Sequence, residues 1–123
     1  MMAITERKAG DVTIIDVEGR VTLEEGADEF RELTRSVIRE GRIKLVINLE
    51  RVPYIDSTAL GEIIRCYTTV TRLGGGLKLL AVAPHVHRLL VITRLLSIFD
   101  LFDAEAEAIK SFGKPVSRQG STG

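Results

Sequence analysis

Apolar residues recur along this chain in two alternating periods, and the change between them is sharpest across residues 43–72. Ile43 to Leu49 form a nearly continuous, β-branched apolar run. Such side chains suit a pleated strand covered on both faces. From Leu60 the spacing changes: Leu60, Ile63, Ile64, Tyr67, Val70 and Thr71 fall three and four apart, the stripe of a helix.

The same alternation organises the rest of the chain. Residues 3–8 read as a short edge strand, Gly10-Asp11 as a turn and Val12–Gly19 as a second strand, together a hairpin. A helix is predicted from Leu23 to Arg39, with Leu23, Ala27, Phe30, Leu33, Val37 and Ile38 on one face and Gly41 past its end. Gly74-Gly75-Gly76 closes the helix that begins near Leu60, and Leu77–Ala83 follows as a strand. Pro84 suits a first helical position, opening a helix over about 84–96. Phe99, Leu101 and Phe102 read as a short last strand, and Asp103 as the cap of a helix from Ala104 to Phe112. Strands alternating with helices predict an α/β fold: a four- or five-stranded mixed sheet, its helices mainly on one face. One domain is expected over residues 1–113. The tail 114–123 has little to bury and is expected to be disordered.

Composition narrows the possible functions. The 123 residues are 45% hydrophobic and 28% charged, the balance of an ordinary globular protein. Seventeen basic and seventeen acidic side chains cancel, which argues against nucleic acid as a partner. No signal peptide is read in Met1–Glu6, and no apolar run approaches the ~20 residues that span a bilayer. The single cysteine, Cys66, lies beside the apolar stripe and is expected to be a half-buried packing residue in a cytoplasmic protein. Acidic residues early in the first helix and arginines later complement its dipole, more a stabilising surface than a binding site. His85 and His87, two apart on a helix, face different ways and cannot readily share a metal. No cofactor is expected.

The chemistry gathers where the central strand passes into its helix. Asp56-Ser57-Thr58 are three small oxygen-bearing residues at the predicted N-terminus, where orphan N–H groups need acceptors. Capping explains one of the three, and no Glu or Gln stands at the spacing a capping box requires. Gly61, inside the first turns, costs about 1 kcal/mol relative to Ala and suggests close approach. A serine at a strand-to-helix turn could be a nucleophile. The elbow that presents one needs Gly on both sides at two-residue spacing, where this chain has Ile55 and Ala59. No catalytic residue is assigned, and an enzyme is not expected. A charge-controlled binding surface fits better, because a helix N-terminus tolerates a phosphate that a docked partner must desolvate.

With its flanks, this stretch resembles the STAS family, and within it the bacterial anti-sigma factor antagonists. The matching residues are Asn48-Leu49, Asp56-Ser57-Thr58-x-Leu60-Gly61, Gly74-Gly75, the strand leading to Pro84, Val86, Arg88-Leu89, and the acidic, Ala-rich helix after Phe99. The resemblance covers residues 3–112; many relatives have Gly where this chain has Ala59. It implies phosphorylation at Ser57 and a partner-binding surface of Asp56, Ser57, Thr58, Ala59, Leu60 and Gly61. In this reading Asp56 orients the hydroxyl or faces the partner, and Thr58 caps the helix. The implied partners are an anti-sigma factor with serine kinase activity, bound by the unmodified form and released by phosphorylation, and a serine phosphatase that reverses the mark. The alternative implied is a scaffold subunit of a stress-sensing assembly or an accessory subunit of a transport system.

Overall fold

A computed structural model describes residues 2–113; the predicted disordered tail lies outside the described residues. Nine elements follow in order: β1 (Ala3–Ala9), β2 (Val12–Glu18), α1 (Ala27–Arg39), β3 (Lys44–Arg51), α2 (Ser57–Arg72), β4 (Gly76–Leu80), α3 (Pro84–Ile92), β5 (Asp100–Phe102) and α4 (Glu105–Ser111). The five strands lie side by side in sequence order. β1 pairs antiparallel with β2, and every later pair is parallel. Parallel neighbours need a crossover, which α1, α2 and α3 supply. The mixed sheet has β3 at its centre, as its doubly covered run predicts.

The pleat sorts side chains into two cores. Ile15, Val17, Leu45, Ile47, Leu49, Leu77 and Leu79 join the larger one, with Phe30 and Val37 of α1, Ile63 and Val70 of α2, and Val86 and Leu90 of α3. Val12, Ile14, Val46 and Leu80 point the other way, towards Ala108 of α4. Three helices therefore share one face and α4 covers part of the other. The Arg7 guanidinium ties α4 to the edge strand, bonding Asp16 (2.5 and 2.9 Å) and Glu105 (2.8 and 3.2 Å).

Several boundaries differ from those expected, each for a local reason. α1 starts at Ala27, not Leu23, because Thr22–Glu25 form a closed turn and Gly26 takes a left-handed φ of 98°. Leu23 consequently leaves the helical face and is 65% exposed. β4 stops at Leu80, since Ala81 turns to a φ of 57°. α3 ends at Ile92, where Arg94 takes a φ of 62° and bonds of Arg94 N–H to Val91 and Leu95 N–H to Leu90 close the helix. Ala104, not Asp103, occupies the cap position of α4. α2 packs against both the sheet and α1, so its buried arc is broader than one stripe: Glu62 and Cys66 are buried, whereas Thr71 is exposed. Cys66 is thus a core residue rather than half-buried. Burial pushes its thiol up to about 12, against a weaker opposing hydrogen bond from Thr34.

Candidate functional site

The turn from β3 into α2 is held by the loop that leaves β2. Gly19 N–H donates to the Arg51 carbonyl (2.9 Å), Val21 N–H to Tyr54 (3.1 Å) and Asp56 N–H to Val21 (3.3 Å). These bonds continue the β2–β3 pairing beyond both strands, ending in a parallel bridge between Val21 and Ile55. Val52 and Ile55 are buried, so the turn has an apolar underside and its polar residues face outwards.

Asp56 is the N-cap of α2, with an extended backbone (φ −101°, ψ −177°). Its Oδ1 accepts from Ala59 N–H at 2.9 Å, and its Oδ2 accepts from Leu23 N–H at 2.9 Å. One carboxylate thereby caps the helix and fastens the loop before α1. Desolvation, the largest single influence, raises its pKa. The N–H groups of Ala59, Leu23, Thr58 and Asp56 itself outweigh it and hold the carboxyl below the usual aspartate range. The cap is therefore Asp56 rather than Thr58. No hydrogen bond joins Asp56 to the neighbouring Ser57 hydroxyl in this structure; both its oxygens accept from backbone N–H groups.

Ser57 is the first residue of α2 and is exposed. Among the described residues its hydroxyl has no hydrogen-bond partner. Thr58 is half-buried, while Ala59 and Leu60 are 2% and 5% exposed and pack into the core. Four of the six expected interface positions thus reach the surface to some degree, and Ala59 and Leu60 support them from beneath. The methyl at position 59 meets the interior and not the surface. Gly61 is exposed, and a Cβ there would meet nothing within 4 Å. Among the described residues, no close approach explains this glycine.

The structure adds residues that no local pattern pointed to. Tyr54, three residues before Ser57, is flanked by the Arg20 guanidinium at 4.5 Å and the His85 ring at 4.9 Å. Leu23 stands exposed where Asp56 holds its amide. Two loops and the first turn of α3, remote in sequence, therefore meet at the strand ends, where open α/β sheets gather their sites. No three His, Cys, Asp or Glu side chains among the described residues are grouped as metal ligands would be. No helix among them is long and apolar enough to cross a membrane.

Comparison with known proteins gives a consistent picture. A family model described as STAS domain matches residues 3–108. An anti-sigma F factor antagonist of Paenibacillus polymyxa is 34% identical over 65 residues, covering 53% of this chain and 56% of that protein. The chain thus spans little more than half the length of that curated relative. Among solved structures, tm1081 of Thermotoga maritima, described as a candidate anti-sigma factor antagonist, superposes with a TM-score of 0.85 at 25% identity, covering 90% of this chain and 95% of that one. The Bacillus protein SpoIIAA, an anti-sigma factor antagonist solved unphosphorylated and phosphorylated, shares the fold. Its TM-scores are 0.71 and 0.72, at 17% and 19% identity, over 92% and 89% of this chain and 100% and 98% of SpoIIAA.

Proposed function

We propose, from the premise that the chain belongs to the STAS domain family, that it is an anti-sigma factor antagonist switched by phosphorylation of Ser57. The unmodified form binds an anti-sigma factor that has serine kinase activity, and so frees a sigma factor in the cytoplasm. The kinase then marks Ser57, the complex parts, and a serine phosphatase resets the switch. The protein itself performs no catalysis. The observation that carries this reading is the exposed Ser57 hydroxyl, unbonded at the first position of α2, beside a carboxylate already committed to backbone donors. A hydroxyl in that state is free to be modified without breaking a bond of the fold. Exposed Leu23 and open Gly61 flank it and give a docked partner an apolar contact and room for close approach. The similarity to curated antagonists supplies the partner class.

Physical chemistry sets what phosphorylation does. A phosphate brings close to two negative charges. In the free chain they face water and the N-terminal end of a helix. Under a partner the same charge is desolvated and unpaired, at a cost of roughly 2–5 kcal/mol, or about 30-fold to several thousand-fold in affinity. Titration calorimetry of the parent, Ser57→Ala and Ser57→Asp against the serine-kinase anti-sigma factor of the same organism tests the switch. Parent and Ser57→Ala should bind alike and Ser57→Asp weakly or not at all, with equal melting temperatures. Binding of Ser57→Asp as tight as that of the parent would refute the reading, as would phosphate mapping to Thr58 at an unchanged rate in Ser57→Ala.

A further inference from the structure

The formal charge of the whole chain is zero, but it is divided unevenly along the sequence. Residues 23–32, the loop before α1 and its first turns, carry Glu24, Glu25, Asp28, Glu29 and Glu32 against one base, Arg31. Residues 63–99 carry five Lys and Arg and no Asp or Glu. The fold sets the two stretches at opposite ends of the helical layer. α1 begins beside the Ser57 turn, where Asp56 holds the Leu23 amide. As crossovers between parallel strands, α2 and α3 run back along the sheet and finish at its other end.

Each end also exposes apolar side chains. Leu23 stands out from the acidic stretch. At the other end Leu73, just past α2, and Val91 and Ile92, in the last turn of α3, are exposed, Ile92 by 71%. Ile98, also exposed, follows in the loop whose Phe99 ring lies 5.2 Å from that of Tyr67 on α2. Arg72 adjoins Leu73, and Arg88 and Arg94 bracket Val91 and Ile92 in the sequence; all three are exposed. Among the described residues these arginines have no carboxylate within ion-pair distance, and Glu24, Glu29 and Glu32 have no cation. Exposed apolar side chains that gather at one end and are rimmed by one sign of charge mark an interaction surface.

From this arrangement we propose that the chain associates head to tail with a second copy of itself. The Leu23 loop and the acidic first turns of α1 in one copy dock on the ends of α2 and α3 in the next. Leu23 is covered by Val91 and Ile92, and the carboxylates face Arg72, Arg88 and Arg94. The occupant is another copy because the chain carries its own complement, in charge and in apolar character, at an end that one molecule cannot fold back to reach. Two different surfaces meet, so each contact leaves one free end of each kind, and assembly grows with concentration rather than closing at a dimer. On the switch reading above, an assembled copy hides part of the partner surface, since Leu23 flanks the Ser57 turn; the association itself does not rest on that reading.

The test is sedimentation velocity of the full chain alone over a concentration series, at about 0.01 M and about 0.15 M salt, where the Debye length is ~30 Å and ~8 Å. The weight-average sedimentation coefficient should climb continuously with concentration at low salt and less steeply at the higher. Arg88→Ser with Ile92→Ser, and separately Leu23→Ser with Glu29→Ser, should each weaken association about tenfold or more. Mixed together, the two paired variants should form a complex that stops at two chains, since one keeps its acidic loop and the other its basic end. Glu107→Ala, on α4 across the sheet, should change nothing. Thermal melts establish that every variant is folded. The proposal is overturned by a parent that stays monomeric at its highest soluble concentration, by growth that ends at a dimer, by either paired variant assembling like the parent, or by a mixture that forms no complex. Anionic and neutral lipid vesicles provide a second arm. A monomeric parent that sediments with anionic vesicles alone, and no longer does so with Arg88→Ser and Ile92→Ser, would give the basic end to a lipid surface and overturn self-association.

Discussion

Replacing Asp56 with alanine removes two hydrogen bonds made by one side chain, and the cost can be worked out from the two separately. The bond to Ala59 N–H is an N-cap, whose loss costs about 0.5–2 kcal/mol. The bond to Leu23 N–H reaches a loop residue open to water, so the freed amide is resolvated and the net loss falls near 0.5–1 kcal/mol. Together Asp56→Ala should destabilise the fold by about 1–3 kcal/mol, or roughly 4–12 °C in a chain of this size. Asp56→Asn separates the contributions. Its amide keeps one acceptor oxygen, so it can satisfy only one of the two N–H groups, and it forfeits the charge–dipole attraction of about 0.3–1 kcal/mol. Its stability should lie between the other two. The carboxyl titrates below the usual aspartate range when folded, so its contribution is fully present above the ordinary value of 3.8. It is lost as pH falls through the lower folded value. The gap between parent and Asn variant should therefore narrow below about pH 4 and vanish in stronger acid. Urea denaturation at several pH values measures this, with hydrogen exchange at the Leu23 and Ala59 amides as the local readout. Equal stability of parent and Ala variant at neutral pH, or a gap that widens in acid, would refute the double-anchor account.

Two further outcomes test other parts of the fold. Cys66, whose thiol burial pushes up to about 12, should not react with a disulfide reagent in native protein at pH 8 and should react fully once denatured; fast native labelling would show that α2 does not pack on α1 as described. Arg94→Gly should stabilise by about 0.5–1 kcal/mol, because Arg94 is held at a φ of 62° that glycine reaches without the left-handed penalty; a lower melting temperature would show that the side chain contributes more than the backbone costs.

Much of the fold was legible because local rules and tertiary packing agree. The apolar run at Ile43–Leu49 becomes the doubly buried central strand. Gly41 and Gly74, at φ of 84° and 92°, end α1 and α2 where their patterns stop. Legibility failed wherever a contact came from far along the chain. Leu23 continues the 3.6-residue pattern of α1, yet Gly26 breaks the helix in front of it; the glycine was the available cue. The first residue of the Asp-Ser-Thr triple is the cap, and its second bond reaches a backbone 33 residues away, which no window around position 56 contains. Glu62 looks like a solvent-facing charge on α2 alone, yet it is buried and paired with Arg31 from α1. The packing of Arg20, Tyr54 and His85 joins two loops and the start of α3 in the same way.

The cap also determines how a charge on Ser57 would be felt. With its carboxyl held below the ordinary range, Asp56 presents a fixed negative charge immediately before the serine at neutral pH. Two unit charges about 7 Å apart in water repel by about 0.6 kcal/mol, so a phosphate with nearly two charges meets about 1 kcal/mol before salt screening. The free N–H groups and dipole of α2 return about 0.3–1 kcal/mol of attraction. The two nearly cancel, and neither the cap bond to Ala59 nor the anchor to Leu23 needs to break. The free protein would then be almost indifferent to modification, leaving the whole effect of the charge to the partner that must cover it. A capping serine or threonine would behave differently, since modifying the cap itself would remove the bond that starts the helix. On the proposed switch, the division of labour between Asp56 as cap and Ser57 as open hydroxyl would let a mark at this turn act on binding without acting on folding.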